Sequence, residues 1–270
     1  MDHRDRLAHA RHHLKALDRS IRVFTESEPY VAGLAYDSKE RCYLVRIREV
    51  RPIPKRWALV VGDILHNFRA ALDSLTYALA KKSGSPLSDS ALRRLQFPIG
   101  EEPGAFFGTP ATTGRKAKPG QIDRIAPLSA ASQAAIERLQ PYHGRVKGFR
   151  PALLVLNDLA NIDKHRHIVL IAASATSSRV DLSGPGIPEG TSVRGYVGPF
   201  ADSTVIGKWA FRGSSSVRSV HPKVNVEPHL GFDVSFAQAP AARSGSVLGF
   251  LGNLHDVIRE TIFPPLETLL

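Results

Sequence analysis

The sequence predicts an α+β fold: a helical core built on one long central helix, with an N-terminal hairpin and a β-rich insertion before a C-terminal helix. Three observations carry this. Trp57, Val61, Ile64, Phe68, Leu72, Leu75 and Leu79 recur at steps of three and four, the period of a helix over about residues 55–82. The stretch "YVAGLAYDSKERCYLVRIREV" has instead two β-prone runs around the polar turn "DSKER", a hairpin pattern. After "DKHRH" the helical period stops, and short runs such as "HIVLIAASA", "TVIGKWAF" and "VNVEPHLGFDVSFAQA" alternate with Gly, Ser and Pro. Residues 1–166 with 245–270 therefore read as the helical core, and 167–244 as an antiparallel β-rich subdomain.

Each further element follows in chain order. Leu7, Leu14, Leu17, Ile21 and Phe24 give residues 3–27 one apolar stripe beneath a heavily charged outer face, a first helix. "RPIP" closes the hairpin, because proline cannot continue a ladder. "SGSPLSDS" breaks the long helix, and a stretch dense in Gly, Pro, Ser and Thr runs from "FPIGEEPGAFFGTP" to "APLSAAS". A short helix over 132–139 leads to "QPYHG", and Pro151 suits the first position of a helix through "ALLVLNDLANI". Ser246 caps the last helix, which carries Val247, Phe250, Leu251, Leu254, Val257 and Ile258 up to "FPP". No repeat of solenoid or propeller length is present.

A chain of 270 residues with 43% hydrophobic and 23% charged residues has material for a sizeable core. Lys and Arg number 36 against 25 Asp and Glu, a formal +11 that favours acidic partners such as nucleic acid. The excess concentrates in 115–150, where Arg115, Lys116, Lys118, Arg124, Arg138, Arg145, Lys147 and Arg150 face only Asp123 and Glu137. The lone Cys42 excludes an intramolecular disulfide and any zinc site with several thiolates. The N-terminus has no apolar run of signal-peptide character and no stretch reaches membrane-spanning length, so a cytoplasmic protein with no membrane partner is expected.

Two polar clusters are candidate sites. On the long helix, at about 100° per residue, Gly62, His66, Arg69 and Asp73 gather almost opposite the apolar stripe. Arg69 and Asp73 are four apart and can pair, and Asn67 neighbours them. An exposed salt bridge would explain that pair, but a mixture of imidazole, guanidinium and carboxylate is unlike the Lys and Glu that usually fill a wet face. Gly62 costs a helix about 1 kcal/mol relative to Ala, which fits a place where another group comes close. The second cluster, "NDLANIDKHRH", holds Asn161, Asp163, Lys164, His165, Arg166 and His167 where a helix gives way to a strand. Cations at a helix C-terminus suit its macrodipole, although that does not account for two histidines and an aspartate within five residues.

His66, Asp73, Asp163, His165 and His167 include types that bind zinc or manganese, yet no H-E-x-x-H spacing is present, so a phosphate or RNA partner ranks above a metal and no cofactor is expected. The histidines of "HARHH" fit a solvated helix face. P-loop, dinucleotide-binding and nucleophile-elbow motifs are absent from the sequence, which sets aside those chemistries.

"GDILHNFRAALDSLTYALA", "FPI", "LQPY" and "NIDKHRH" resemble, over roughly residues 55–170, a group of uncharacterised bacterial proteins with a G-D-x-L-H-N-x-R-x-A-L-D helix and a D-K-H-R element. More distantly the helix is similar to HEPN domains of bacterial toxin and defence systems. That resemblance implies a helical core, a homodimer and metal-independent ribonuclease activity centred on Arg69. Their histidine, four to six residues beyond the arginine, is not matched, since positions 74–76 are Ser, Leu and Thr, which leaves the role of base to His66 or His165.

Two functions are therefore expected as alternatives. In a ribonuclease, His66 and His165 would exchange protons, Arg69 and Arg166 would bind phosphate, and Asp73 or Asp163 would orient an imidazole, with Asn67, Asn161, Lys164, Arg145 and Lys147 contacting RNA or another phosphate-bearing ligand. In a non-catalytic binding or dimerisation module, the same helices would form a pocket and the basic segment would meet an acidic partner. A third reading has both clusters only locking the helices together through buried hydrogen bonds.

Overall fold

The computed structural model describes residues 2–40, 42–84, 87–112, 116–144, 150–165, 168–174, 179–184, 189, 191–194, 198–209, 225–229, 232–237 and 246–270. Helix α1 (His3–Glu26) is followed by strands β1 (Tyr30–Asp37) and β2 (Cys42–Glu49) and by the central helix α2 (Arg56–Lys82). Short helices α3 (Asp89–Arg94) and α4 (Pro103–Phe107) come next, then the small strands β3 (Gly108–Thr109) and β4 (Lys118–Pro119) and a 3-10 turn over Gln121–Ile125. Helices α5 (Ala130–Arg138) and α6 (Ala152–His165) complete the first part. The β-rich part holds β5 (Leu170–Ser174), β6 (Arg179–Ser183), β7 (Ser192–Arg194), β8 (Gly198–Phe200), β9 (Val205–Trp209), β10 (Asn225–His229) and β11 (Asp233–Phe236). The chain closes with α7 (Val247–Asp256), a π-helical turn (Val257–Ile262) and α8 (Phe263–Glu267).

The architecture is α+β, with every described strand pair antiparallel. Helix α1 begins on a capping box: Asp2 accepts from the Asp5 amide while the Asp5 carboxylate accepts from the Asp2 amide. It runs antiparallel along α2. At one end Phe24 packs edge-on against Trp57 and the Trp57 indole donates to Ser20 Oγ at 2.9 Å; at the other, Asp2, His3 and Arg6 stand beside the second half of α2. Ile64, Leu65, Phe68, Leu72 and Leu75 of α2 are fully buried, each stabilising the fold by about 1.5–3 kcal/mol. Helix α2 is thus the central element that its period predicts.

The β-rich segment does not close on itself. Sheet order is β1-β2-β9, so a strand from that segment completes the sheet begun by the hairpin. The other sheets run β10-β6-β7 and β11-β5-β8.

The C-terminal helix departs from expectation at "FPP", where proline was to end it. Pro264 and Pro265 have no N–H to give the carbonyls four residues back. The helix widens into the π turn immediately before them and continues, with Ile258, Ile262, Phe263 and Leu266 buried. Its end is tied to the beginning of the chain, because Glu267 accepts from Arg4 and bonds to His3 Nε2 at 2.8 Å.

Among the described residues no helix is long and apolar enough to cross a membrane.

Candidate functional site

The stretch "QFPIG" (96–100) belongs to no helix or strand, yet Phe97, Pro98, Ile99 and Gly100 are buried. Its backbone groups need partners, and side chains supply them. Asp73 Oδ1 accepts the Phe97 amide at 2.9 Å, and Arg69 donates to the Phe97 carbonyl. Gln121 Oε1 accepts from Ile99 at 2.9 Å. Gln140, 2% exposed, accepts the Gly100 amide at 2.8 Å and donates to the carbonyls of Pro98 and Ile136. "FPI" and "LQPY", far apart in the chain, are therefore two sides of one joint.

Arg69 and Asp73 pair at 3.3 Å, as their spacing predicts, but inside the protein: the Arg69 side chain is only 11% exposed. Burial pulls the guanidinium down and pushes the Asp73 carboxyl above its usual range, each partly offset by the other's charge. Both side chains are committed to Phe97, which is what separates them from a free phosphate-binding pair.

Gly62 answers to a neighbour. A Cβ there would lie 2.9 Å from both carboxylate oxygens of Asp163, so the missing side chain is the space that Asp163 fills. The two polar clusters thus meet, through α2 and α6. Asn161, Asp163 and Lys164 are exposed on α6, and His165 is its last residue. Asn67 folds back on its own helix, donating to the Asp63 carbonyl at 2.8 Å. Arg145, Lys147, Arg166 and His167 lie outside the described residues. Of the basic segment, Arg150 bridges Asp158 and Glu101, and Arg124 donates to Gln96, so both hold the fold together.

His66 is exposed and lines a groove of about 690 Å³ between the first turns of α1 and the outer face of α2. With it stand Asp2, His3, Arg6, Asp73, Ser74, Tyr77 and Lys81. His3, Arg6, Tyr77 and Lys81 were not among the sequence candidates. His66, Tyr77 and Lys81 share one face of α2, but the first turns of α1 reach that face only through the antiparallel packing. Among the described residues the Arg6 Nε is buried without a hydrogen-bond partner, a donor held out of water. Among the described residues no group of three or more His, Cys, Asp or Glu is placed to hold a metal ion.

No family model, curated protein or solved structure matches this chain. The groove's own chemistry is the ground for a functional reading. Its lining holds one permanent guanidinium, one ammonium, two imidazoles and a phenol beside the carboxyls of Asp2 and Asp73, and its cationic and donor groups suit an anion with several oxygens.

Proposed function

We propose that the chain binds a phosphate-bearing ligand, RNA foremost, in the groove between α1 and α2. The observation that carries this is Arg6: a guanidinium with a buried, unpartnered Nε in the wall that also holds His66 and Lys81. A guanidinium that leaves one donor unsatisfied gains more from a charged acceptor, met after a small shift of the side chain, than a fully paired one does. The formal charge of +11 supports an acidic partner, and the likeness of "GDILHNFRAALD" to HEPN helices points the same way. Arg6 and Lys81 hold the phosphate, while Tyr77, 44% exposed, offers a ring on which a base stacks.

The test is fluorescence anisotropy of a labelled single-stranded RNA against the full chain and against Arg6→Ala, Lys81→Ala and His66→Ala. Binding that weakens in all three, and falls steeply with salt, is expected. Unchanged affinity in Arg6→Ala and Lys81→Ala would remove the groove from consideration.

A second reading, cleavage, has one observation in its favour: two imidazoles, His3 and His66, line the same groove as the arginine. Glu267 bonds to His3 Nε2, as a carboxylate does when it orients a catalytic imidazole. Chelator-resistant RNA cleavage that His66→Ala abolishes at unchanged thermal stability is the expected sign of it.

A further inference from the structure

Helix α1 carries a second group of histidines, on the stretch "HARHH". His9 and His13 are four residues apart, so they stand one above the other on the helix surface. Their Nε2 atoms converge to 3.0 Å, with ring centroids 4.5 Å apart and ring planes 88° to one another. His9 is exposed and His13 half-buried. His12 touches the pair only through its ring, at 6.1 Å from that of His13.

A contact of this kind needs one ring to donate an N–H and the other to accept it. A metal ion replacing the shared proton would sit beside the line joining the two nitrogens, where a modest tilt of each ring brings both lone pairs onto it. Two metal–nitrogen bonds of about 2.0–2.1 Å at a right angle put their nitrogens about 2.9 Å apart, whereas a tetrahedral angle needs about 3.3 Å. The observed 3.0 Å fits the right angle of square-planar or octahedral coordination.

We propose that His9 and His13 form a two-histidine site for one divalent transition-metal ion, Cu(II) or Ni(II), on the outer face of α1. The two Nε2 atoms already stand at a chelating separation, so binding needs a tilt of the rings rather than a new approach of the side chains. Because no third His, Cys, Asp or Glu joins them among the described residues, the remaining positions fall to water or to a donor from another molecule. Such an open site is distinct from a closed structural one. It is independent of the groove, whose histidines are His3 and His66.

The test is calorimetric titration of the full chain with Cu(II), in a His3→Ala background so that the terminal amine and the third-residue imidazole do not themselves chelate the ion, accompanied by electron paramagnetic resonance at one equivalent. One site with hyperfine structure from two nitrogens is expected. His9→Ala and His13→Ala should each lower its affinity at least tenfold, and His12→Ala should leave it unchanged. Because His9 is exposed, His9→Gln serves as a second variant with its helix content checked by circular dichroism. A site that keeps its affinity in both His9 and His13 variants, or that His12→Ala weakens equally, overturns the proposal.

Discussion

The carboxylate of Asp163 rests where a side chain on Gly62 would be, its two oxygens 2.9 Å from the position of the missing Cβ. Alanine at 62 would gain about 1 kcal/mol of helix propensity, but only if Asp163 moved away. Gly62→Ala alone is therefore expected to give little or no stabilisation, while in an Asp163→Ala background it should add about 0.5–1 kcal/mol. Urea denaturation of the four proteins of this cycle measures the coupling. Equal effects in both backgrounds would mean that the contact has no energetic weight.

The clamp on Phe97 should be costly to open. Arg69→Ala leaves a buried carbonyl without its donor and Asp73 without its counter-charge, and is expected to cost about 2–4 kcal/mol. Lysine at 69 cannot reproduce a guanidinium that bonds the Phe97 carbonyl and Asp73 together, and should recover only part of this. Thermal denaturation of the two variants decides it; a loss below about 0.5 kcal/mol in Arg69→Ala would assign the pair to the surface.

Gln140 offers a parallel case without charge. Gln140→Leu keeps much of the volume but leaves the Gly100 amide and the Pro98 carbonyl unpaired, for an expected loss of about 2–3 kcal/mol. Native-state hydrogen exchange at Gly100 should accelerate in that variant, whereas exchange in α1 should follow global stability alone.

Two carboxyls predict opposite responses to acid. Burial raises Asp73, so the folded state holds that proton more tightly than the unfolded chain. Its contribution to stability is greatest below the usual aspartate value of about 3.9 and declines as pH rises to the raised value. The hydrogen bonds from Arg4, helped by His3, lower Glu267, whose contribution is complete above about 4.3 and is lost as pH falls through the lowered value. Stability curves between pH 2 and 6 should therefore lose part of their acid limb in Glu267→Gln and tilt the other way in Asp73→Asn.

Binding in the groove should carry a salt signature. Replacing Lys81 by Ala is expected to weaken RNA similarly across sequences and to reduce the slope of log affinity against log salt by about 1. Anisotropy titrations at three salt concentrations measure this. A slope that Lys81→Ala leaves untouched would place the phosphates elsewhere.

Helix α2 was legible because its apolar period is local: twelve of its residues are buried, and seven of them form the predicted stripe. Gly62 was legible as a close approach, though not the identity of what approaches. The Arg69–Asp73 pair could be read from spacing, whereas its burial could not, because the backbone it holds lies 24 residues beyond Asp73 in a stretch without any period. Gln140 stood out only as part of "LQPY", and nothing in that motif reveals that its partner is a buried amide 40 residues away. The groove was half visible: His66 came from one helix face, while His3 and Arg6 depend on how two helices pack.

The pairing of β2 with β9 has a consequence for how the chain is made. Arg46 and Ser203, bonded across that junction, lie 157 residues apart. At about 5–20 residues per second, one edge of β2 stays open for roughly 10–30 s after it leaves the ribosome. An open strand edge is a template for another chain, so the interval before residue 209 appears is when this protein most needs a chaperone.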